Sequence, residues 1–228
     1  MEWEQKNRCL TGVELLIFDL DGTLADTLAG ICDGVCLAME RYGYPKRSME
    51  EVRHAIGNGA RELIRRSMPE EASADAALVD RVFADYDRLY EQTFRHACAY
   101  EGMAQTLATL RERGYRLAVL SNKQDRYVKT LTEELFDGEL FCFAAGQTDL
   151  PKKPDPTVPL RLARELGIPP ERCAMIGDSE VDIRTGKNAG MRSVGCSWGY
   201  RERETLSAEN ADVMISHPQQ LLAVFPTR

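Results

Sequence analysis

The chain has 228 residues, 43% hydrophobic and 29% charged, the composition of a folded globular protein with a sizeable core rather than a disordered one. Its net charge of −7, with no block of basic residues, argues against nucleic acid as a partner; a small anionic substrate stays compatible, because a metal and a few cations set the field inside one cleft. No stretch approaches the length of apolar sequence that spans a membrane, and the seven cysteines are odd in number, scattered and free of Cys-x-x-Cys pairs, which points to reduced thiols in the cytoplasm.

Residues 1–8 carry acids where a signal peptide has bases, and no long apolar run follows them, so no leader is expected. Leu15, Leu16, Ile17 and Phe18 then form a strand-like run that leads straight into Asp19, Leu20, Asp21, Gly22 and Thr23. Side chains alternate along a strand, so Asp19 and Asp21 start on the same side at its carboxyl end, where open α/β sheets hold their ligands. Two such acids repel one another and are tolerable when a cation lies between them or one keeps a proton. Gly22 lets the chain leave the strand sharply.

Apolar residues at Leu24, Leu28, Ile31, Val35, Met39 and Tyr42 predict a long helix beginning directly after Thr23 and ending at Gly43 and Pro45. Ser48 and Glu51 have capping-box spacing and open a short helix that Gly57 closes. A third helix carries Leu63, Ile64 and Met68, and a longer one repeats from Leu78 to Phe94. Residues 24–98 are thus predicted to be helical with no strand among them.

Beyond that run, helix and strand alternate: helix 103–113, strand 116–120, helix 127–136, strand 140–145, helix 156–166, strand 173–176, a helix to about Ala189, and strands at 191–196 and 211–215. The alternation implies an α/β fold with a Rossmann-like, mostly parallel sheet. Residues 1–23 and 99–228 would form this core, and 24–98 a helical insertion.

Three later strands also deliver polar groups at their carboxyl ends: Ser121 and Asn122; Lys152, Lys153 and Pro154; and Gly177, Asp178 and Ser179 with Asp182. Each has a plainer reading. Ser121 would cap a helix, Lys153 would sit on a solvated surface, and Ser179 with Asp182 would form a capping box. Asp178 is harder to dismiss, because a carboxylate between a buried strand and a helix start is desolvated and calls for compensation.

Taken together, the string from Phe18 to Leu24, Ser121 with Asn122, Lys153-Pro-Asp-Pro156 and Gly177-Asp-Ser-x-x-Asp182 resembles the four motifs of the haloacid dehalogenase superfamily, in order and over essentially the whole chain. The resemblance implies a helical C1-type cap at the insertion. It implies Asp19 as a nucleophile that forms an aspartyl-phosphate and Asp21 as the general acid and base. It further implies Mg²⁺ on Asp19, the backbone carbonyl of Asp21 and Asp178, supported by Thr23, Ser179 and Asp182. Ser121, the Asn122 amide and Lys153 would bind the phosphate, with Lys152 as the rival lysine. The family's dehalogenases lack an acid at the position of Asp21, so that branch is excluded.

Ile56-Gly57-Asn58-Gly59-Ala60, the Ser197-Trp198-Gly199-Tyr200 segment and Asp26-Thr27 resemble the phosphoglycolate phosphatases. Arg61 and Arg65, one helical turn apart, would meet a substrate carboxylate unless they lie on a solvated face balanced by Glu62. The expectation is a Mg²⁺-dependent phosphomonoester hydrolase acting on a small phosphorylated metabolite, phosphoglycolate first. Alternatives are a pyrophosphatase, a sugar-phosphate phosphatase or a phosphomutase. A non-catalytic receiver module would lack both the cap and the second acid. Neither nucleic acid nor membrane is an expected partner, and the protein would be a monomer or homodimer.

Overall fold

A computed structural model describes residues 9–227; the stretch 1–8, on which the reading of a missing leader falls, lies outside the described residues. In chain order the strands are β1 (Leu15–Phe18), β2 (Ala25–Asp26), β3 (Cys98–Ala99), β4 (Arg116–Gln124), β5 (Phe141–Gln147), β6 (Cys173–Gly177), β7 (Arg192–Cys196) and β8 (Val213–Ile215). The helices are α1 (Leu28–Arg41), α2 (Met49–Ala55), α3 (Ala60–Ser67), α4 (Glu70–Ser73), α5 (Ala76–Tyr90), α6 (Met103–Glu112), α7 (Asp125–Leu135), α8 (Thr157–Glu165), α9 (Glu180–Asn188), α10 (Arg203–Ala208) and α11 (Leu221–Val224).

Six strands form one parallel sheet in the order β5-β4-β1-β6-β7-β8. The four residues of β1 are fully buried because both faces of the sheet are covered: Leu16 and Phe18 pack with Leu107 and Val119 on one side, Leu15 and Ile17 with Leu162 and Met175 on the other. A strand buried on two sides shows no polar alternation, which is why its sequence is an unbroken apolar run. From β1 the chain moves outward to β4 and β5, then returns to β6 on the opposite side. That reversal leaves a crevice at the carboxyl ends of β1, β4 and β6, the place where open α/β sheets bind ligands.

Three expectations change. Residues 24–98 are not free of strand, because Ala25 pairs with Ala99 and Asp26 with Cys98 in a short antiparallel ladder where the helical run leaves and rejoins the sheet domain. The first helix also starts at Leu28 rather than Leu24. The Leu20 carbonyl accepts from the amides of Thr23, Leu24 and Ala25, so a tight turn buries Leu24 and the apolar signal there reports the turn. The strand expected to stop at residue 120 runs on to Gln124, with a register irregularity against β5 between Leu120 and Gln124 that spans Ser121, Asn122 and Lys123. Irregularities of this kind re-aim side chains beside active sites.

Candidate active site

β1 delivers Asp19 to the crevice with its side chain buried, and the first link to a distant segment comes from Lys153, whose Nζ lies 2.8 Å from Asp19 Oδ1 and 2.6 Å from Asp182 Oδ1. The Lys153–Pro154 peptide is cis. Asn122 fixes the lysine's backbone from both sides, since its Oδ1 accepts from Lys153 N at 2.9 Å while its Nδ2 donates to Lys153 O at 3.0 Å. Ser121, also buried, accepts from Lys123 N through its hydroxyl at 3.3 Å.

At the end of β6, Asp178 accepts from Thr23 Oγ1 at 2.9 Å and from the Tyr200 amide at 2.7 Å. Gly22 and Gly199 close around it, and a Cβ on either would collide with the Asp178 carboxylate. Gly22 also has a positive φ of 85°, so the turn after β1 needs glycine for two reasons. Ser179 and Asp182 do form a capping box at the start of α9, with Ser179 Oγ 2.5 Å from Asp182 Oδ2. The other Asp182 oxygen faces Lys153, so the helix cap and the site share one carboxylate.

One oxygen from each of Asp19, Asp178 and Asp182 lies within 4.8 Å of the others, and all three residues are buried. Burial, the charge of Asp182 and that of Asp21 outweigh the attraction of Lys153 and push Asp19 up to about 6. Burial, reinforced by Asp19 and Asp182, pushes Asp178 up to about 8. Burial would lower Lys153, but Asp182 and Asp19 hold its ammonium above the usual lysine range. Three carboxylates facing one ammonium leave two negative charges to be neutralised, by protons or by a divalent cation. The all-oxygen donor set and the glycine cradle around Asp178 fit a hard cation such as Mg²⁺.

Asp21 has different partners. Thr27 Oγ1 donates to its Oδ1 at 2.6 Å, and Lys123 Nζ lies 3.0 and 3.3 Å from its two oxygens. The Tyr200 hydroxyl accepts from Thr27 N at 2.8 Å, so Tyr200 joins the Asp178 loop to the turn that holds Asp21. Lys123, Thr27 and Tyr200 received no role from sequence. Lys123 follows Ser121 and Asn122 directly, and Thr27 and Tyr200 lie within strings that carried the resemblance; their pairing depends on chain segments far apart.

These groups open on a cleft lined by Asp19, Asp21, Ser121, Asn122, Lys153, Asp178, Ser179 and Asp182 on the sheet side. Gly57, Gly59, Leu63, Tyr86, Tyr90 and Arg201 belong to its opposite and lateral walls. Arg61 and Arg65 are not among the lining residues: Arg61 pairs with Asp80 at 2.6 Å and Arg65 with Glu62 at 2.7 Å, so nearer acids on the helical surface take both guanidiniums. Asn58 does not line the cleft either; its carbonyl accepts from Lys152 Nζ at 2.6 Å, which turns Lys152 away from Asp19 and leaves Lys153 as the lysine at the carboxylates.

The family model for haloacid dehalogenase-like hydrolases matches residues 16–196. Among curated proteins, the chain is 34% identical to a phosphoglycolate phosphatase of Aliivibrio fischeri, covering 93% of this chain and 96% of that one, and 34% identical to one of Pseudomonas putida, covering 91% and 78%. Among solved structures, a predicted phosphoglycolate phosphatase from Haemophilus somnus superposes with a TM-score of 0.85 at 28% identity, covering 94% of this chain and 98% of that one.

Proposed function

We propose, for a chain that belongs to the haloacid dehalogenase-like hydrolase family, that it is a Mg²⁺-dependent phosphatase of phosphoglycolate, with residues 24–98 acting as the cap over a catalytic core. The single observation that carries the reading is the meeting of Asp19, Asp178, Asp182 and Lys153, drawn from three separate segments, beside Asp21 in one cleft. The relatives' names support phosphoglycolate as the substrate.

Asp19 attacks phosphorus, the bond to the ester oxygen breaks, and an aspartyl-phosphate forms on Asp19. Asp21 hands a proton to the departing alkoxide and later removes one from the water that attacks the aspartyl-phosphate, which returns both acids to their starting states. Lys153, Ser121 and the Asn122 backbone amide hold the phosphoryl oxygens as charge develops. Asp19, Asp178 and the Asp21 carbonyl would hold Mg²⁺, with Asp182 orienting Lys153. The ion, when bound, neutralises carboxylate and phosphoryl charge. Glycolate and inorganic phosphate are the products.

Arg61 and Arg65, the arginines expected to meet a substrate carboxylate, pair with Asp80 and Glu62 and do not line the cleft, which favours pyrophosphate or a sugar phosphate as the second reading. Phosphate release with Mg²⁺, compared as kcat/KM across phosphoglycolate, pyrophosphate and sugar phosphates, tests both. Preference for phosphoglycolate is the expected result. A higher value for either rival, or an isomerised sugar phosphate as product, rejects the substrate assignment.

A further inference from the structure

We infer that Lys123 reads a negative charge on the leaving-group side of the substrate, a deepening that rests on the phosphoglycolate reading above. Three cationic side chains line the cleft among the described residues: Lys123, Lys153 and Arg201. Lys153 faces Asp19 and Asp182, on the side of the nucleophile and the phosphoryl group. Arg201 donates one bond from each guanidinium nitrogen, to Glu180 and to the carbonyls of Arg53 and Ile56. Lys123 differs from both. Its ammonium, at the end of a side chain only 6% exposed, lies 3.0 and 3.3 Å from the two Asp21 oxygens and 2.7 Å from the Tyr90 hydroxyl.

Its place is what distinguishes it. Asp21 is the acid that faces the ester oxygen in the proposed reaction, so a lysine bonded to Asp21 stands next to the departing group and not next to the phosphoryl oxygens. A carboxylate one carbon beyond the ester oxygen is within a few ångströms of that ammonium, a spacing that an α-hydroxy acid phosphate satisfies and a neutral alkyl phosphate does not. Around it, Tyr86, Tyr90 and Tyr127 supply a largely apolar wall in which a charge-assisted hydrogen bond is stronger than in water, and Lys123 lies 4.9 Å from the Tyr90 ring centroid. Lys123 is therefore a specificity-determining residue that sorts esters by charge.

The test compares phosphoglycolate with ethyl phosphate, which has the same two carbons and no carboxylate, as a ratio of kcat/KM in the Mg²⁺-loaded enzyme. Lys123→Met is expected to lower that ratio about 30-fold or more, mostly through KM for phosphoglycolate, and Lys123→Arg to hold it within about fivefold. Lys123→Gln keeps an uncharged N–H donor in the side chain, and serves as a second neutral variant if the methionine protein does not fold; it is expected to lose the preference too. A wild-type ratio near one overturns the phosphoglycolate reading and this inference with it. A high wild-type ratio that persists in both neutral variants, with activity on the two esters falling in equal proportion, overturns the role of Lys123 alone.

Discussion

The side-chain amide of Asn122 donates to the carbonyl of Gly57 at 3.0 Å, joining the end of β4 to the loop between α2 and α3. The carbonyls on either side of Gly57 are held as well, Ile56 by Arg201 and Asn58 by Lys152. Three consecutive carbonyls of the helical segment are thus gripped by residues from three different segments, and one of the gripping residues, Asn122, also fixes Lys153. Cleft and roof are one hydrogen-bonded unit.

Replacing Arg201 with Met removes the donors to Arg53 and Ile56 while keeping an apolar stem of similar reach. Amide exchange at residues 57–59 should accelerate about tenfold, the equivalent of about 1.4 kcal/mol of local stability, with a smaller fall in kcat/KM. Unchanged protection by hydrogen-exchange mass spectrometry would show that the grip contributes nothing.

Asp19→Asn keeps the shape of the side chain and removes its nucleophilic charge. Turnover should fall by about 10³-fold or more without loss of the folded state, read by phosphate release and by circular dichroism. Near-normal activity rejects Asp19 as the attacking group.

Burial with two acidic neighbours makes an ionised Asp178 costly until a cation compensates it. In metal-free protein Asp178→Asn should therefore raise Tm by about 2–4 °C. Mg²⁺ should stabilise the wild type in proportion to its free concentration and leave the variant nearly unmoved. Thermal melts across a Mg²⁺ series decide it; equal stabilisation of the two proteins excludes Asp178 as a ligand.

Tyr200→Phe deletes the hydroxyl that accepts from Thr27 N and meets Asp26 at 3.1 Å, in a side chain only 4% exposed. An amide left without its acceptor costs about 1–3 kcal/mol, visible in urea unfolding. Because Thr27 holds Asp21, kcat should fall more than KM rises, and a variant with wild-type stability and kcat removes Tyr200 from the network.

Arg88, Tyr42 and Arg41 surround Asp85 where α5 crosses α1, and its carboxyl lies below the usual range through hydrogen bonds from Arg88 and Tyr42. A depressed carboxyl stabilises the fold above its unfolded pKa near 4, and that contribution is lost as pH falls through the lower folded value. Asp85→Asn should melt earlier than wild type at pH 7 by about 1–2 kcal/mol, and the gap should close below about pH 4. A gap that is the same at pH 3 and pH 7 contradicts an ionic role.

Much of the sheet and most of the carboxylate cluster are legible in the residues themselves, because each is encoded locally. Leu15 to Phe18 leads into Asp19 without a break, and Ser179 to Asp182 carries its cap in four residues. What sequence hides is apposition. Nothing near Lys123 in the chain indicates that Asp21 and Tyr90 close around it, and nothing near Gly57 marks it as a partner of Asn122. For Arg61 and Arg65, of the two readings their spacing left open, the face balanced by Glu62 is the one found for Arg65, while the pairing of Arg61 with Asp80 was again hidden by distance along the chain. Leu24 misled because burial in a tight turn and burial on a helix leave the same apolar mark.

The two-residue ladder of Ala25 with Ala99 and Asp26 with Cys98 sets the departure and the return of the helical excursion side by side. A detour that starts and finishes at neighbouring residues can be lengthened, trimmed or exchanged over generations without displacing the strands beneath it. Changes inside the detour therefore need not move the strands that carry Asp19 and Asp178.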